Sequence, residues 1–161
     1  MSQRSVGTIA WEACKHEFQW NGSWRDIYVF RTTLDDWRVL CAELKKTYNL
    51  EFLVDGEARS FPEMVDEVFV LRNQANVLMR FLAEGIIIAC HFFSTEEIEF
   101  DIDPREIISQ AALDALLNFM GLVGDAVRKK VVLTPENGAE LPFIAYEPQT
   151  GLFEQVDSVR K

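Results

Sequence analysis

Half of this chain's net charge falls in thirteen residues. Between Ser94 and Glu106 lie six carboxylates (Glu96, Glu97, Glu99, Asp101, Asp103 and Glu106) against a single base, Arg105, a net of −5 in a 161-residue chain of formal charge −10. Glu97, Glu99, Asp101 and Asp103 alternate with Ile98, Phe100 and Ile102. Side chains alternate sides along a strand, so this spacing predicts one buried apolar side and one carboxylate side turned away from it. Like charges spaced two apart repel and lower stability. Three uses compete for such a row. It is a solvated strand whose charges discourage edge-to-edge pairing, a recognition face steered towards a basic partner, or a divalent-cation or general acid–base site. The last needs two groups facing each other across a substrate, and a single strand leaves the opposing group to a neighbouring loop.

A second acidic cluster, Glu63, Asp66 and Glu67, has helical spacing. On its own it reads as a solvated helix face, but placed beside the acidic strand it would widen a partner-binding surface. Trp11, Trp20 and Trp24 bracket the first turn signal, Asn21-Gly22. Tryptophans serve as core residues and as interface anchors; these three are expected in the core, with Trp24, next to the turn, the most exposed of them. The candidate partner-binding residues are therefore Glu97, Glu99, Asp101, Asp103, Glu63, Glu67 and Trp24.

Nucleophilic chemistry has thin support. The two histidines, His16 and His91, come with no GxSxG motif. Cys90 and His91 are adjacent on an expected strand and point to opposite sides. Cys14 and His16 could share a side, but a reactive thiolate needs an electropositive setting. His91 is expected at the edge of the core with its nitrogens satisfied. No phosphate-binding loop, HExxH or EF-hand pattern occurs, and the GxxG at Gly121–Gly124 lies inside a helical pattern. No catalytic residue, metal or cofactor is assigned.

The composition narrows the classes. A pI near 4.7 argues against nucleic acid and anionic membrane surfaces, which call for lysine and arginine, and favours a basic protein partner. Three cysteines, Cys14, Cys41 and Cys90, make an odd set with no CxxC, so a disulfide framework or structural zinc is not expected. Met1–Val6 lacks an apolar signal region, and the apolar stretch Ile86–Phe93 is too short to span a bilayer. These features predict a cytoplasmic protein. With 48% apolar residues, no repeat and scattered prolines, residues 1–161 are expected to form one domain.

The elements follow from periodicity. Thr8–Trp20 and Trp24–Arg31 are predicted to pair as a hairpin across Asn21-Gly22. A helix is expected from Thr33, where Thr33 and Asp36 form a capping box and Leu34, Trp37, Leu40, Cys41 and Leu44 form a buried stripe. After the strand Leu50–Val54, a second capping box at Ser60 and Glu63 predicts a helix running to Arg72. Strands at about 76–82, 86–93 and 97–103 form a meander, and a long helix runs from Ser109 to Val127. The tail carries strands at about 130–134, 142–146 and 152–156. The fold class is α+β, a mostly antiparallel sheet of about six to eight strands with about three helices packed on it.

The leading functional expectation is a non-catalytic protein-binding module. An inhibitor or immunity-type protein acting on a basic target has the matching physical character. The alternatives are a small carboxylate- or metal-dependent hydrolase and a homo-oligomeric structural protein.

Overall fold

The acidic strand lies near the middle of a nine-stranded antiparallel sheet of order β3-β2-β4-β5-β6-β1-β7-β8-β9. The structure is a computed structural model that describes residues 9–156. Its strands are β1 (Arg25–Phe30), β2 (Glu51–Val54), β3 (Glu57–Arg59), β4 (Val77–Ala83), β5 (Ile86–Cys90), β6 (Glu97–Ile102), β7 (Val131–Pro135), β8 (Ile144–Glu147) and β9 (Leu152–Gln155). The helices are α1 (Trp11–Cys14), α2 (Leu34–Thr47), α3 (Val65–Arg72) and α4 (Gln110–Val127). The class is α+β, with nine strands against an expected six to eight. Among the described residues no helix is long and apolar enough to cross a membrane.

One side of the sheet carries the helices. Ile27, Val29, Ile88, Ile98, Phe100 and Leu133 point to that side and are fully buried, where they meet Trp37, Leu40 and Leu44 of α2 and Leu113, Leu116 and Met120 of α4. Both long helices start as their sequences dictate. Thr33 accepts from the Asp36 N–H while Asp36 accepts from the Thr33 N–H, a reciprocal cap contributing about 1 kcal/mol. Ser109 caps α4 by accepting from Ala112. Gly124 lets α4 approach the sheet, because a Cβ there would stand 2.7 Å from the Tyr146 ring.

Two expectations fail for local reasons. Residues 11–18 form α1 and a 3-10 turn, Lys15–Phe18, not a strand; Thr8, the start of that expected strand, lies outside the described residues, as does Met1–Val6. Trp11, Cys14 and Phe18 recur at helical spacing, Cys14 and Phe18 are buried, and Phe18 packs edge-on against Phe143 at 5.9 Å. Asn21-Gly22 is a local turn in which the Asn21 side chain accepts from the Ser23 N–H and hydroxyl. The guanidinium of Arg25 then binds the carbonyls of Glu17, Gln19 and Ser23, which folds this segment onto the start of β1.

The Ser60–Glu63 capping box also fails. α3 starts at Val65, after an N-cap, Met64, that makes no side-chain bond. Lys45 of α2 donates to the carbonyls of Pro62 and Glu63, and Phe61 packs edge-on against Phe52 at 5.1 Å, so residues 60–64 are held as a connector. The unforeseen strand β3 precedes them. β5 ends at Cys90 rather than Phe93, where Phe92 takes a left-handed φ of 57°.

Candidate functional site

The face of the sheet away from the helices carries the acidic row. Ile98, Phe100 and Ile102 are 1% exposed or less, and Phe100 stands edge-on to Phe119 of α4 at 5.0 Å. That packing fixes which side of β6 turns outward, so Glu97, Glu99 and Asp101 share the open face as their spacing predicts. Two ties set the height of the strand. Thr32 after β1 bonds the carbonyls of Thr95 and Glu96, and the Trp37 indole N–H donates to the Ser94 carbonyl at 3.1 Å.

The neighbouring strand β1 adds a fourth carboxylate. Asp26 pairs with Asp101, Tyr28 with Glu99 and Phe30 with Glu97 across the ladder. Asp26 is only 2% exposed. It accepts the Tyr28 hydroxyl at 3.2 Å and the Asn137 N–H at 2.9 Å, the latter from the turn after β7. Burial raises the Asp26 pKa, partly offset by the Asn137 hydrogen bond. Tyr28 is buried under the same turn beside Val132 and Ala145, and burial followed by the Asp26 charge raises its phenol.

Burial sets the electrostatics and crowding adds to it. Burial, followed by the charges of Asp26, Glu97 and Asp101, lifts the Glu99 carboxyl to about 7. His91 lies at the end of β5 with its Nε2 3.5 Å from Asp101 Oδ2. The hydrogen bond to Asp101 raises the pKa of the imidazole. Among the described residues, Glu97 and Glu99 have no ion-pair partner. On the open face Glu99 thus keeps its proton up to about 7, and the crowded carboxylates gain from an incoming cation.

The other candidates lie elsewhere. Asp103 leaves the strand: it caps the 3-10 turn Pro104–Glu106 and pairs with Arg105 at 2.9 Å, which lowers its pKa. Arg105 in turn covers the Trp20 ring at 3.7 Å. Trp24 is exposed just before β1, with its N–H bound to Glu136 at 2.9 Å. Since Arg25 pairs with Ile102, Trp24 and Asp103 flank the same end of the ladder. Glu63 and Glu67 are exposed on the helical layer, with the sheet between them and the acidic row. Their neighbour Asp66 is held by Arg38 of α2 at 2.7 Å. The fold does not bring the two acidic clusters together.

The thiols take no part. All three cysteines are free and buried. Burial pushes Cys14 up to about 11 and Cys41 up to about 12, while His16 is exposed beside Glu17. Among the described residues no group of three or more His, Cys, Asp or Glu side chains is arranged to hold a metal ion.

Asp26, Tyr28 and the Asp101–His91 contact are the parts that sequence reasoning did not reach. A clue existed: Asp26 is a charged residue directly before the apolar run Ile27–Phe30 of the same expected strand. Comparison of the chain with protein-family models, with curated proteins and with solved structures gave no match.

Proposed function

We propose that this chain is a non-catalytic protein-binding module, of inhibitor or immunity type in its physical character, that engages a basic protein through Glu97, Glu99 and Asp101. The observation that carries the reading is the crowding of these carboxylates and Asp26 on a sheet face that the helices leave uncovered. Like charges held together in part-buried surroundings repel, and a lysine or arginine entering the row relieves that repulsion. A cytoplasmic setting belongs to the same reading, with the three thiols reduced in the core.

The geometry favours this over the two alternatives. The carboxylates and His91 rise from one side of one sheet, whereas a carboxylate hydrolase places its acid and base across a substrate. A two-fold pairing of this face with a second copy would bring the same charges together.

The test replaces Glu97, Glu99 and Asp101 with Ala and compares capture of a partner from cell lysate at low and high salt. The expected result is a complex formed by the parent chain that weakens with salt and is lost in the triple variant, with circular dichroism unchanged. Equal capture by both forms contradicts the proposal.

A further inference from the structure

The open face has a second half. On β2, β4 and β5 the residues turned away from the helices include two apolar cross-strand pairs, Leu53 with Leu78 and Leu82 with Ile87. Leu82 is 63% exposed, Ile87 47% and Phe93 54%. Scattered exposed apolar residues need no explanation, but neighbouring ones on one face mark contact surfaces. At one end of this half lies a hollow of about 350 Å³, walled by Leu53, Leu78, Phe93, His91 and Arg72. That volume is at the lower end of pockets that seat small ligands, about 300–1,000 Å³.

His91 joins the two halves. Its ring stacks on Phe93 at 5.2 Å in the wall of the hollow, and its Nε2 reaches Asp101 in the acidic row. Arg72 also lines the hollow, with its guanidinium 5.5 Å from the Phe93 ring. The hollow therefore offers apolar walls and a resident cation, so it repels lysine and arginine and directs them to the row.

We propose that the partner carries a large apolar side chain beside its lysines or arginines, and that this side chain seats in the hollow between Leu53, Leu78 and Phe93. The inference rests on the reading that the acidic face binds a basic protein, and it names the form of the ligand. β4 and β6 are separated by β5 alone, so anchor and cation sites stand two strand spacings apart, about 10 Å. Two turns of helix or three extended residues span that distance. A basic segment with an apolar anchor fits both halves at once. A second copy of this chain does not, because its own open face brings carboxylates.

Fluorescence anisotropy with three synthetic peptides tests this: an amphipathic Lys/Leu peptide, a Lys/Ser peptide of equal charge and a Glu/Leu peptide of equal length. The Lys/Leu peptide is expected to bind about tenfold more tightly than Lys/Ser, and Glu/Leu not to bind. Phe93→Ser is expected to weaken Lys/Leu about tenfold and to leave Lys/Ser unchanged, a loss of about 1.4 kcal/mol. Leu78→Ser, in the wall of the hollow, serves as a second variant, and circular dichroism checks that both fold. Equal binding of the two basic peptides, or no loss in either variant, overturns the anchor while leaving the acidic-face reading standing. Failure of both basic peptides to bind, or Lys/Leu binding undiminished in Glu97→Gln/Glu99→Gln, overturns both. Self-association abolished by Phe93→Ser places a second copy on the face and overturns the proposal.

Discussion

Two acidic clusters of similar density in the sequence end in opposite circumstances. Glu67 on α3 and Glu63 just before it are exposed and Asp66 is paired with Arg38, an arrangement that lowers the Asp66 pKa through its hydrogen bonds to the guanidinium. On β6, the carboxylates sit against a buried Asp26, and Glu99 is lifted to about 7. The difference teaches that charge density alone does not mark a site. What matters is whether the fold supplies counter-charge and water, as it does on α3, or withholds them, as it does on the open face.

The contrast depends first on the core beneath the row. Phe100→Ala removes a fully buried ring that packs on α4 and holds the register of β6. A loss of about 3–5 kcal/mol is expected in urea unfolding, and a loss below about 1 kcal/mol would mean that the core does not fix the row.

Next comes the pH dependence of stability. Folded Glu99 titrates near 7 against a usual 4.5, so the folded chain holds more protons between those values and stability falls as pH rises through them. Asp26, also raised, acts in the same sense. So does His91, whose contribution is complete below its unfolded value and is lost as pH rises through its folded one. The groups facing Glu99 are Asp26 and Tyr28 from β1, Glu97 and Asp101 on its own strand, and His91 after β5. Glu99→Gln is expected to raise stability at pH 8 by about 1–3 kcal/mol after discounting for solvent screening and to flatten the melting temperature between pH 5 and pH 8 (the range from just above the usual Glu value to just above Glu99's own). A melting temperature that rises across that range in the parent chain would contradict the crowding.

The α3 cluster should behave in the reverse way. The stabilisation from Asp66 is present above its unfolded value and is lost only as pH falls through its lowered one. Asp66→Asn is therefore expected to lower the melting temperature slightly at neutral pH, with the difference shrinking as salt is raised. The smallest effect belongs to Glu63→Gln/Glu67→Gln, which should change stability by no more than about 0.5 kcal/mol and leave partner capture intact. Loss of capture in that variant would move the binding surface to the helical layer.

Much of this was legible in the chain. The alternation of Ile98, Phe100 and Ile102 with Glu97, Glu99 and Asp101 specified both the strand and its outward side, because a one-residue slip would bury the charges. The Thr33 cap placed α2, and the helical pattern from Ser109 placed α4. What failed was decided by distant partners. Ser60 and Glu63 have capping-box spacing, but Lys45 takes the carbonyls of residues 62 and 63. Asn21-Gly22 looks like a hairpin, but Trp11, Cys14 and Phe18 find a helical core instead. Asp103 continues the period-two pattern, yet Pro104 ends the strand and turns Asp103 into a cap. Asp26 was out of reach because its burial depends on a turn more than a hundred residues away, whose Asn137 N–H it accepts.

Carbodiimide coupling of carboxylates to lysine amines tests the proposed face most directly, because it forms zero-length links only where the two groups touch. Applied to the complex captured from lysate and mapped by peptide mass spectrometry, it is expected to join partner lysines to Glu97, Glu99 or Asp101. Links confined to Glu63 and Glu67, on the other side of the sheet, would contradict the assignment of the acidic strand as the binding face.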